Sequence, residues 1–327
     1  MKAEGNEPPM TSLRPSDLRG VIAMMPSFTT DDGADFDATE TIDVGRLRAG
    51  VDRIIGDGVD AIATTGSFGE VYNLLPSEVA TLTSATVEAV AGRVPVFVGC
   101  TEPNPRATLE RLRMIRDSGA PGAFVGAPYY MPQTVENAVR FFEEIAERFP
   151  DLAFMLYHNP GLHHVTLPVP AVVRLAQQPN IVAIKDSHRD TVPFSKLVAG
   201  VGDQLQIYVY QAQLFPYALL GANGCWSINV WMGPWPILQL RDACAAGDWP
   251  AARAIAAEVF GSDAPGTDPR YRELQLKIAV QAAGYCDPGP LRSPFWELPD
   301  DVVASARTRG ERWRDLAEDF RDKPRFG

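Results

Sequence analysis

Eight short apolar runs recur along this chain, and that repeat limits its architecture more than any other feature. They span residues 21–24, 61–64, 94–98, 123–126, 152–157, 181–185, 205–209 and 224–228. Most are separated by stretches with helical period. In 135–148, Val135, Val139, Phe142, Ile145 and Ala146 share one helical face. Residues 77–90 and 105–116 read the same way, each opening on a good cap or first-turn residue. Alternating strand and helix signals imply a parallel sheet. Eight such units imply an α/β fold, a (β/α)8 TIM barrel. The alternative, a doubly wound sheet, lacks its glycine-rich dinucleotide fingerprint after the first run.

After Gly233 the character changes. Residues 234–247, 249–260, 270–283 and 301–320 read as helices with no strand signal between them. The first closes the barrel and the others form a C-terminal helical extension. The expected organisation is a flexible segment at 1–17, a catalytic barrel at 18–247, and a helical segment at 248–327 packed on it.

Composition narrows the partners. Of 327 residues, 46% are hydrophobic and 22% charged, and the net charge of −11 repels nucleic acid and anionic membrane. A small anionic substrate would need a local positive site. Cys100, Cys225, Cys244 and Cys286 are scattered without a CxxC pair, which fits a reducing cytoplasm better than a disulfide framework. The first residues carry no apolar secretion core, and no apolar run is long enough to span a bilayer.

In such a barrel, chemistry sits at the carboxyl ends of the strands. Lys185 ends the run Ile181-Val182-Ala183-Ile184, where strand residues are buried on both faces. Desolvation disfavours an ammonium, so a lysine there suits attack on a carbonyl to form a Schiff base. A lysine whose stem packs while its charge reaches water would look the same. The turn Gly66-Ser67-Phe68-Gly69 exposes backbone N–H groups and one hydroxyl, which suits a carboxylate, or is an ordinary tight turn. His158, His163, His164 and His188 cluster in sequence without metal-ligand spacing, so surface or supporting positions are expected, with no metal and no cofactor.

Three segments together carry a resemblance. Gly66-Ser67-Phe68-Gly69-Glu70, Tyr157-x-Asn159-Pro160-Gly161 and Ile184-Lys185-Asp186 resemble the hallmarks of the dihydrodipicolinate synthase and N-acetylneuraminate lyase superfamily, in matching order over residues 18–299. Met25-Pro26-Ser27-Phe28, Trp226-Ser227 and Gly289-Pro290-Leu291-Arg292-Ser293-Pro294 are similar to one branch. Its members are hydratase-aldolases that cleave benzylidenepyruvates in bacterial breakdown of polycyclic aromatics. Two departures from dihydrodipicolinate synthases stand out: Leu162 replaces an arginine and Phe68 a threonine. Both argue for an aromatic acceptor over an amino-aldehyde.

The resemblance implies a class I, pyruvate-releasing lyase acting as a homotetramer on small molecules, pyruvate and an aromatic aldehyde. Lys185 would form the Schiff base and Tyr157 would shuttle protons. Asn159 would orient the added water or C4 hydroxyl. Ser67, Phe68 and Gly69 would hold the substrate carboxylate, and Trp226 would form an aromatic wall. Arg272 stands where other members of the branch carry asparagine, which points to trans-2'-carboxybenzalpyruvate as substrate. A solvated Arg272 paired with Asp268 or Glu273 is the competing reading. The other substrates left open are trans-o-hydroxybenzylidenepyruvate and a sugar acid.

Overall fold

The computed structural model describes residues 13–261 and 268–323. Each apolar run becomes a strand: β1 Gly20–Met24, β2 Ala61–Thr64, β3 Val96–Cys100, β4 Gly122–Gly126, β5 Ala153–His158, β6 Ile181–Asp186, β7 Gln206–Tyr210 and β8 Gly224–Ser227. Each pairs in parallel with its sequence neighbours, and β8 pairs with β1, so the sheet closes into a (β/α)8 barrel. Closure excludes the doubly wound alternative, whose sheet has two free edges. The third strand lies two residues later than the apolar run at 94–98. Pro95 has no N–H to give a ladder and contributes only its carbonyl, which accepts from Ile62 N at 3.0 Å.

Helices α1 Val44–Asp57, α2 Pro76–Val90, α3 Pro105–Asp117, α4 Val135–Arg148, α5 Pro160–His163, α6 Val169–Leu175, α7 Thr191–Val201, α8 Leu214–Ala218 and α9 Trp235–Ala245 follow the strands around the barrel. Local chemistry starts several of them. Asn104 caps α3 by accepting from Arg106 N and Ala107 N, and Thr134 caps α4 through Asn137 N. The face of α4 that packs on the sheet is Val139, Phe142, Ile145 and Ala146, joined by Ala138 and Phe141. Val135 departs from the expected face: at the first helical position, a turn ahead of Val139, it stays exposed.

Residues 1–12 of the expected flexible segment lie outside the described residues, and Pro15–Asp17 form a 3-10 turn. Beyond the barrel, α10 Trp249–Phe260, α11 Arg272–Ala283 and α12 Asp300–Arg321 form the helical extension. Trp313 Nε1 donates to Gly233 O at 3.0 Å and Gln239 Nε2 to Phe320 O at 2.6 Å, tying α12 to α9 and to the turn before it. Among the described residues, no helix is long and apolar enough to cross a membrane.

Strand burial locates the site. Every residue of the eight strands is buried except Lys185 and Tyr210. Both sit near the carboxyl ends of adjacent strands and line one cavity.

Candidate active site

Lys185 points into the barrel because side chains alternate along a strand, and its neighbour Asp186 therefore points outward. The same alternation on β5 sends Tyr157 inward and His158 outward. Register aligns the pairs, Tyr157 with Lys185 and His158 with Asp186. The outward pair is buried beneath the flanking helices. There Asp186 meets Arg189 and lies 3.5 Å from His158 Nδ1, while Leu167 N donates to His158 Nε2 at 3.1 Å. Burial, then Arg189, pushes the His158 imidazole down to about 3.

The Lys185 amine sits between two aromatic rings, 4.7 Å from the Tyr157 centroid and 4.9 Å from that of Trp226. Both rings lie 4.4 Å from Phe124, which the alternation on β4 turns inward beneath them. The cavity above measures about 420 Å3, within the range that holds a drug-sized ligand. Asn159 caps α5 by accepting from Leu162 N at 3.3 Å and donates from Nδ2 to the Tyr157 hydroxyl oxygen at 3.1 Å. With its oxygen accepting there, the phenol keeps its own proton free for a ligand.

The turn after β2 carries strain at both ends. Thr65 and Glu70 each hold φ at 52°, a left-handed conformation costly for residues with a Cβ. Thr65 Oγ1 donates to Gly99 O at 3.1 Å, an approach that only glycine permits, since a Cβ there would lie 2.3 Å from Thr65 O. Glu70 is held more strongly. Its Oε2 accepts from Lys277 Nζ at 2.6 Å, Arg292 Nη1 at 2.8 Å and Ser27 Oγ at 2.6 Å. Burial by itself would raise the Glu70 carboxyl, but the two cations outweigh it and hold it below the ordinary carboxylate range. Among the described residues, the N–H groups of Phe68 and Gly69 have no hydrogen-bond partner. The turn therefore presents free donors beside the Ser67 hydroxyl.

Helix α11 adds the last wall. Lys277 reaches Glu70, and one turn earlier Arg272 and Glu273 line the cavity. The Arg272 guanidinium lies 5.3 Å from the Tyr210 ring centroid. Asp268, its suggested partner, is instead 2.6 Å from Arg270. Burial raises the Glu273 carboxyl, with Arg272 and Lys185 pulling the other way.

One cavity thus collects Ser67, Phe68, Tyr157, Asn159, Lys185, Trp226 and Arg272. Gly69 and Leu162 do not line it. Gly69 is folded back towards Thr65 N, where a Cβ would meet it at 3.0 Å, and Leu162 packs against the core. The histidines divide between the surface and supporting positions, His164 and His188 being exposed. His158 and His163 are buried, the latter edge-on to Tyr157 at 4.9 Å, because they occupy the layer between strands and helices. Sequence reasoning missed Phe124, whose inward direction is readable only once β4 has a register. It also missed Glu273 as a cavity residue, for which α11 gives no local signal.

A family model described as the dihydrodipicolinate synthetase family matches residues 26–307. The trans-O-hydroxybenzylidenepyruvate hydratase-aldolase of Sphingobium xenophagum is 28% identical, with 94% of this chain and 97% of the relative covered. The trans-2'-carboxybenzalpyruvate hydratase-aldolase of Nocardioides sp. (strain KP7) is 29% identical, covering 93% and 96%. The structure of PhdJ bound to a substrate intermediate superposes with a TM-score of 0.87 at 30% identity, covering 95% of this chain and 99% of that one. YagE from E. coli K12, in complex with pyruvate, gives 0.80 at 26%, covering 91% and 99%. By family match, barrel topology and relatives alike, this chain is a lyase that belongs to the dihydrodipicolinate synthetase family.

Proposed function

We propose that this lyase is a Schiff-base hydratase-aldolase that cleaves a 4-aryl-2-oxobut-3-enoate, with trans-2'-carboxybenzalpyruvate as its substrate. The reading rests chiefly on the Lys185 amine held between Tyr157 and Trp226 over Phe124, an aromatic chamber around a primary amine. The relatives named for benzylidenepyruvates support the substrate class.

Chemistry then follows from the geometry. The substrate's carboxylate accepts from the Ser67 hydroxyl and the free N–H of Phe68, both at the cavity wall. Lys185 attacks C2, and the ketone oxygen leaves as water after taking protons, one from the Tyr157 phenol. The resulting iminium is conjugated to the alkene and draws electrons from C4. Water adds at C4, C3 gains a proton, and the iminium re-forms. Loss of the C4 hydroxyl proton breaks the C3–C4 bond, releasing aryl aldehyde and leaving a pyruvate enamine on Lys185. Protonation at C3 and hydrolysis free pyruvate. Asn159, already bound to the phenol, orients the C4 oxygen.

Arg272 supports the choice of aryl substituent. In a protein of net charge −11 it puts a guanidinium at the cavity wall, suited to a second carboxylate through two parallel hydrogen bonds. The reading also takes in residues 248–327 as part of the catalytic unit, a homotetramer and a cytoplasmic setting. An exposed apolar groove containing Tyr130 and Met131 offers surface for self-association.

The test compares 2-carboxybenzaldehyde with salicylaldehyde, each with pyruvate. A clear kcat/KM advantage for the carboxylated aldehyde supports the assignment. Preference for salicylaldehyde transfers it to trans-o-hydroxybenzylidenepyruvate, and activity only on aliphatic hydroxyaldehydes to a sugar acid.

A further inference from the structure

Among the described residues Glu273 is the one carboxyl that lines the cavity, and the steps written above give it no role. It shares that space with Lys185, Tyr157 and Trp226. Its Oε2 is sealed from solvent and has no hydrogen-bond partner among the described residues. Leaving such an oxygen unpaired costs the desolvation of the group, and more if it is charged. Glu70, the other carboxylate behind the site, also leaves one oxygen, Oε1, unpaired, but its Oε2 accepts from three donors, whereas neither Glu273 oxygen accepts a hydrogen bond among the described residues. Glu273 is therefore not a structural anchor of that kind. Its position beside two cations and its raised affinity for a proton describe a group able both to take and to return one.

The proposed reaction needs such a group. Tyr157 carries a single proton and serves the oxygen leaving C2. Hydration instead moves a proton from a water oxygen at C4 to carbon C3, which is a separate transfer. On the reading that Lys185 forms an iminium with a 4-aryl-2-oxobut-3-enoate, we propose that Glu273 is the catalytic base and acid of the water-addition step. The water oxygen forms a bond to C4 while the C3=C4 pair shifts to C2=C3 and the C2=N pair moves onto nitrogen. Water's proton passes to the Glu273 carboxylate. Glu273 then delivers it to C3, and the nitrogen lone pair re-forms the iminium. One water is consumed, the carboxylate is regenerated, and no oxidant or reductant takes part.

The two halves of the reaction separate in the condensing direction, with pyruvate and 2-carboxybenzaldehyde. The parent enzyme should form the aldol and dehydrate it to the conjugated enone, read by its ultraviolet absorbance. E273Q should still trap pyruvate on Lys185 under borohydride and still form the aldol. Conversion of aldol to enone should fall by about 10²–10⁴-fold, so the aldol accumulates. E273D should recover part of that loss. Enone formation by E273Q at the parental rate overturns the proposal. So does a loss shared equally by adduct, aldol and enone, which would make Glu273 structural. Inability of the parent to join any aryl aldehyde to pyruvate sinks the substrate reading first, and shows before any variant is made.

Discussion

Tyr157 and Lys185 are register partners on β5 and β6, and the lysine Nζ lies 4.7 Å from the centre of the phenol ring. The pairing makes their separation a property of the sheet, which closes on itself and cannot slide. The amine and the phenol that the proposed reaction uses are therefore set beside one another by backbone hydrogen bonds, and no loop has to move to bring them together.

Pyruvate plus borohydride should add a reduced pyruvyl group to one peptide, the one containing Lys185, by mass spectrometry. Lys185→Ala should abolish labelling and turnover. Labelling elsewhere, or a working Lys185→Ala enzyme, would refute the Schiff-base role. Turnover should also survive chelators.

Replacing Tyr157 by phenylalanine keeps the stack on Phe124 and removes only the hydroxyl. We expect kcat to drop by about 10²–10⁴-fold while some pyruvyl adduct still forms. A rate within a few-fold of the parent would reject Tyr157 as the proton shuttle.

Arg272→Asn removes the cavity guanidinium and leaves the pyruvate end untouched. The preference for 2-carboxybenzaldehyde over salicylaldehyde should narrow or reverse, with pyruvate KM little changed. An unchanged ratio would mark Arg272 as surface chemistry.

Lys277→Met leaves the buried Glu70 carboxylate with one cation instead of two. With Arg292 still paired, the loss should stay below the roughly 3–5 kcal/mol of a buried charge left uncompensated, measurable as a lower denaturant midpoint. Because Glu70 ends the turn that carries Ser67 and the Phe68 N–H, KM for pyruvate should rise in the folded fraction. Parental stability and parental KM together would contradict the bracing role.

Burial holds the His158 and His163 imidazoles down to about 3, helped by Arg189 for the first and by His158 for the second. The unfolded chain protonates its histidines near 6.5, so below that pH the unfolded state binds more protons and stability falls towards 3. At pH 5 the loss should reach about 2 kcal/mol per histidine. Denaturant melts at pH 7.5 and 5 should show the drop. His163→Gln should flatten it, and an identical pH slope in that variant would refute the assignment.

What could be read from the linear chain is what local periodicity records. The alternation of apolar runs and helical stretches implied the eightfold barrel, and a lysine ending a buried run pointed to Lys185. Periodicity states which face of a segment avoids water, so it located the strands to within two residues even where Pro95 shifted β3. It does not state what covers the mouth of a barrel. The Lys277–Glu70 contact joins residues 207 apart, and nothing in either neighbourhood names the other. The same holds for Phe124, inward only because of its register, and for Glu273, a cavity carboxyl only because α11 crosses the strand ends. Such contacts depend on where closure of the whole barrel leaves an opening and which remote helix packs over it, and the three-dimensional fold alone decides that.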